Sequence, residues 1–126
     1  MGVKDTPLVM MQNEIISYQF AERIKSALII GSKMLMVVET LKESELEGAK
    51  KALFAFFDAL STETGIALNV TGMQEFVLVE EKVTQVKRGI EEEDYQEAHA
   101  NLGRAVSHVT TACDRTMRAL MGKGLM

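Results

Sequence analysis

Apolar residues recur every three and then four positions along the long segments of this chain, and that spacing decides its architecture. Phe76, Val79, Val83, Val86 and Ile90 follow one another at gaps of 3, 4, 3 and 4. Tyr95, Ala98, Leu102, Ala105, Val109, Ala112, Thr116/Met117 and Leu120 carry the same beat through the next segment. A 3.5-residue period lays one stripe along a helix, and that stripe needs another helix to bury it. The chain is therefore expected to be all-α, a four-helix up-down-up-down antiparallel bundle with a long first helix, in one domain over residues 1–126. A chain of this length buries a core without disulfides or metals.

The helix boundaries follow from local chemistry. Pro7, after Asp5 and Thr6, fits the first helical position, where its missing N–H is not needed. The first helix is expected to run to about Lys42. Two seams cross its centre: Ile24, Gly31 and Val38, and Ala27/Leu28, Met34/Leu35 and Leu41. Gly31 reads as a point of close packing, because the apolar pattern keeps its phase across it. Ser44 and Glu47 form a capping-box pattern that marks a second helix after a turn near Glu43. That helix presents Leu46, Ala49, Leu53, Phe56/Phe57 and Leu60. Residues 61–71 contain Gly65 and Asn69 and alternate at Ile66, Leu68 and Val70. They are expected to form an irregular connector, with Thr71 capping a third helix over Met73–Glu91. Asp94, with Glu97 three residues on, should cap a fourth helix ending near Met121. The expected core holds Ile24, Leu28, Leu35, Val38, Leu53, Phe57, Leu60, Val79, Val83, Val86, Leu102, Val109 and Cys113.

Composition narrows the function classes. The net charge of −4 argues against broad attraction to nucleic acid or anionic lipid. The most apolar run, Ala27–Val38, is shorter than the roughly 20 residues a membrane helix needs, so no membrane partner is expected. One cysteine allows no intrachain disulfide, which fits the reducing cytoplasm. The N-terminal residues lack the layout of a signal peptide.

The polar residues form no complete catalytic or metal set. His99 and His108 stand nine positions apart, about 2.5 turns, and so face opposite ways. No Glu lies three residues before either histidine, as di-iron bundles require. Glu91 and Asp94 match the second half of the carboxylate pattern of all-α nucleotide pyrophosphatases, but the Glu-x-x-Glu half is absent. Arg104 and His108, one turn apart, are similar to the Arg–His pair of helical ribonucleases of the higher-eukaryote-and-prokaryote nucleotide-binding type. That resemblance implies an anion-binding site at these two residues. Glu93–Ala98 with Leu102 and Ala105 resembles the turn and second helix of a tetratricopeptide unit, which implies two helices brought close by small side chains. The pattern occurs once, whereas such arrays stack several copies. Arg104, Arg115 and Arg118 fall within about 60° around one helix and could form a basic stripe for nucleic acid.

Nine methionines is a high number, and Met10, Met11, Met34 and Met36 gather on the first helix. Methionine adapts to irregular binding surfaces. Ile29, Ile30, Met36 and Val37 lie off the buried seams of that helix. The expected function is thus non-catalytic: a helical interaction or assembly module that self-associates as a homodimer or higher oligomer through these four residues, or binds another protein, with no cofactor. The competing expectations are a small bundle enzyme or ligand-binding protein with a site at a bundle end or subunit interface, and a nucleic-acid binder using the basic stripe.

Overall fold

A computed structural model describes residues 7–124. Four helices account for nearly all of them: α1 over Pro7–Val38, α2 over Glu43–Thr71, α3 over Gln74–Glu91 and α4 over Tyr95–Gly122. No strand occurs among the described residues. Each helix packs on two neighbours in the cyclic order α1, α2, α3, α4. Asp5 and Thr6, expected to lead into α1, lie outside the described residues.

The 3.5-residue beat is the core. Ile24, Leu28 and Leu35 of α1, Leu53 and Phe57 of α2, and Phe76, Val79, Val83 and Val86 of α3 are wholly buried. From α4, Ala98, Ala105, Val109 and Ala112 are wholly buried, and Leu102 and Cys113 nearly so. All thirteen residues expected in the core from the sequence are in it. Each fully buried aliphatic or aromatic side chain contributes about 1.5–3 kcal/mol through burial. Phe56 and Phe57 meet edge to face with ring centroids 5.4 Å apart, so the aromatic centre sits where α2 crosses α1. There Gly31 removes an obstruction: a Cβ on it would lie 2.6 Å from Cζ of Phe57. Gly31 is a packing point, as its unbroken apolar phase implies.

Three boundaries differ from expectation. α1 stops at Val38, short of Lys42, and Thr40 turns its hydroxyl back to the Val37 carbonyl at 2.7 Å. The capping box does not form. Lys42 is the N-cap of α2 and makes no side-chain cap bond, and Ser44 lies inside the first turn. The 61–71 connector is helix: α2 runs unbroken to Thr71 and ends at Gly72, whose left-handed φ of 67° lets its N–H bond the Leu68 carbonyl at 2.7 Å. The reason is that Leu53, Phe57, Leu60, Thr64 and Ala67 continue the buried beat. Thr64 holds a core position because its hydroxyl bonds the Leu60 carbonyl at 2.8 Å, which satisfies the buried oxygen. Thr71 accordingly closes α2, and the N-cap of α3 is Met73.

The fourth helix starts as expected. The Asp94 carboxylate accepts from the Glu97 N–H at 3.2 Å, a cap worth about 1 kcal/mol. At this turn Gly89 lets Ala98 come close; a Cβ on Gly89 would stand 3.1 Å from that of Ala98. The small residues thus let α3 and α4 approach closely at this turn.

Candidate functional site

Among the described residues, α1 carries most of the large apolar side chains left in water. Its buried positions, Ser17, Ala21, Ile24, Leu28, Gly31, Leu35 and Val38, alternate gaps of 4 and 3 on one side. A stable bundle helix then carries polar residues on the other side. Here that side carries Leu8, Ile15, Ile16, Ile29, Ile30, Met36 and Val37 in water, with Met10 besides. Eight of the eleven large hydrophobic side chains exposed among the described residues belong to this one helix. The other three are Ile66 and Val70 of α2 and Met121 of α4.

The four residues singled out from the sequence are all exposed: Ile29 by 42%, Ile30 by 51%, Met36 by 58% and Val37 by 60%. They form two pairs, each spaced by seven residues. A step of one residue turns about 100°, so Ile29 and Met36 lie on one flank of the outer face and Ile30 and Val37 on the other. Met34, by contrast, packs against the core.

The α2 flank is closed by a clamp. Arg23 forms an ion pair with Glu63 of α2 while its guanidinium lies 5.5 Å from the centre of the Phe20 ring. The pair cancels the two charges that would interrupt the α1–α2 side of the face. A shallow groove lined by Ala27, Phe56, Ala59 and Leu60 runs beside it. The α4 flank is held at both ends, by Glu14 to Lys123 at 2.7 Å and by Glu39 to His99 at 2.9 Å. Such surface pairs add at most about 1 kcal/mol each; they fix how the helices sit rather than holding them together.

The polar candidates are dispersed or engaged. Arg104 donates to the Asn101 amide oxygen at 3.0 Å, with Glu97 at 3.8 Å. Its guanidinium therefore reaches back toward the start of α4, away from His108. Arg115 is held by both carboxylate oxygens of Glu75, which neutralises the centre of the expected basic stripe. His99 serves the α1–α4 pair above. Among the described residues no three His, Cys, Asp or Glu side chains gather in a metal-binding group, and no helix is long and apolar enough to cross a membrane.

Two buried titratable groups belong to the packing. Burial, with the Glu22 carboxylate beside it, pushes the Cys113 thiol up to about 12. A thiol that hard to ionise is a poor nucleophile. Burial also raises the Glu80 carboxyl, against the opposing influence of Ser61 and Lys87. A groove between α2 and α3 has Phe54 and Ile90 at its base and Glu47, Lys50, Lys51, Asp58 and Glu91 around it. Lys50 is turned away from it to Glu93 at 2.8 Å, a bond that holds its ammonium above the ordinary value. The mixed charges on that rim select no ligand of either sign.

No protein family, curated protein or solved structure matches the chain.

Proposed function

We propose that this protein is a non-catalytic assembly module that self-associates through the outer face of α1. One observation carries the reading: among the described residues, eight of the eleven exposed large hydrophobics lie on that helix. Single exposed apolar side chains are ordinary, but a contiguous set on one face marks an interface. Each of Ile29, Ile30, Met36 and Val37 would contribute up to about 1.5–3 kcal/mol if a partner buried it fully. A two-fold contact with a second copy is the commonest way to cover such a face.

The bundle in this reading runs up-down-up-down. The cross-helix pairs support it, since Glu14 near the start of α1 meets Lys123 and Glu39 after its end meets His99 near the start of α4. With 32 residues, α1 is about 48 Å long, against about 27 Å for the 18 residues of α3. The first helix thus offers a long continuous docking edge. A cytoplasmic setting suits the unpaired Cys113.

The test is the double substitution Ile30→Asp with Val37→Asp, followed by sedimentation velocity. Both side chains point to solvent, so the helix content should persist while the protein becomes monomeric. A variant that remains as associated as wild type would refute the role of this face.

A further inference from the structure

Resting on that self-association, we infer that the contact is two helices wide: the α1–α2 layer of one copy packs face to face on the α1–α2 layer of a second copy, over the groove closed by the Arg23–Glu63 pair.

The bundle has one apolar side. Among the described residues, ten of the eleven exposed large hydrophobics lie on α1 and α2; α3 carries none and α4 only Met121. Within the α1–α2 layer, two rows border the groove. Ile16, Arg23, Ile30 and Val37 recur at intervals of seven on the α1 side, and Ala52, Ala59 and Ile66 at the same interval on the α2 side. All seven are exposed. Between the rows, Phe20, Ala27, Met34 and Phe56 are half-buried against the core. Arg23 is the single charge in either row, and Glu63 of α2 neutralises it across the groove. The rows therefore present no unpaired charge. Residue numbers run in opposite directions along the groove, since Arg23 meets Glu63 and Gly31 lies against Phe57. The large Ile30 and Val37 thus stand toward the end where α2 offers the small Ala52 and Ala59. A copy related by a two-fold axis seats its large row on that small one, a self-complementary fit.

Breadth selects the occupant. A single helix laid along the groove is about 10 Å wide with its side chains. Packed axes stand about 8–10 Å apart, so the face of two helices is about 20 Å wide. Residues 16–37 give it a length of about 30 Å. A face of about 600 Å² approaches the roughly 800 Å² that each partner buries in a stable complex. The edge of α1 alone supplies half of it. One foreign helix would leave the other half in water, whereas a second α1–α2 layer covers the whole width.

Sedimentation equilibrium of variants on α2 and at the clamp tests the two-helix face. Ile66→Asp with Val70→Asp should weaken dimerisation at least about 100-fold, because each loss counts twice in a symmetric contact. Arg23→Gln and Glu63→Gln should each weaken it about tenfold, since either leaves the other charge unpaired in the seam. The combined variant R23Q/E63Q should return to within about threefold of wild type. On an open surface the clamp substitutions would leave association unchanged. A dimeric wild type that I66D/V70D leaves equally tight, or that all three clamp variants match, would overturn the two-helix face and leave self-association through α1 standing. A monomeric wild type would overturn both. Circular dichroism on each variant verifies that the bundle is intact.

Discussion

Gly31→Ala should destabilise the protein, although the same change at the exposed helical Gly103 should stabilise it. Replacing an interior helical glycine by alanine ordinarily gains about 1 kcal/mol. At Gly31 the new Cβ would stand 2.6 Å and 2.9 Å from two carbons of the Phe57 ring and 3.1 Å from Phe56. Phe57 is wholly buried, so its ring has no free space to enter. Overpacking of this kind costs about 1–3 kcal/mol, and two contacts under 3 Å place it at the upper end. The net effect is a loss of about 1–2 kcal/mol. Gly103→Ala is the control: it lies inside α4 and is exposed, with nothing within 4 Å of its Cβ. Urea denaturation of both variants at matched protein concentration should separate them by about 2–3 kcal/mol, equivalent to about 8–12 °C in thermal midpoint. If Gly31→Ala proves as stable as Gly103→Ala, α1 and α2 do not approach as closely as described.

Cys113 should react with a disulfide reagent at pH 8 only as fast as the bundle opens. A thiol pushed up to about 12 leaves about one in ten thousand ionised at that pH, and guanidinium should restore rapid labelling; fast reaction of the native protein would show that α4 is not seated as described. Glu80→Gln should raise stability at pH 7. The buried carboxyl has a raised folded value, so wild type loses stability as pH climbs from the ordinary 4.5 through that raised value. The advantage of the variant should vanish in acid, and a variant less stable than wild type at pH 7 would mean that the charged carboxylate is favourably held.

The fold was legible wherever burial follows residue type. The beats of α3 and α4 are unbroken, and the Asp94 cap is a local bond between residues three apart. The C-terminal half of α2 was not legible for a specific reason. Its core position at Thr64 is polar by composition and apolar only in effect, because the hydroxyl turns back on its own helix. With Thr64 counted as a core residue, the beat runs from Leu53 to Ala67, and the alternation of Ile66, Leu68 and Val70 loses its meaning. The failed capping box at Ser44 shows the opposite error, a capping pattern that lies two residues past the true N-cap at Lys42.

The outer face of α1 was legible as unburied apolar residues, but Ile66 and Val70 were hidden inside the misread connector. The Arg23–Glu63 clamp joins residues forty positions apart and depends on how α2 lies on α1, which only the folded structure displays.

Sedimentation equilibrium of the wild-type chain across about 1–100 μM, in the range where functional homodimers form, tests self-association most directly. The account predicts a mass that rises toward twice the 14.0 kDa of one chain. A mass that stays at that of a single chain through the highest concentration would contradict it, and the apolar face of α1 would then need another partner.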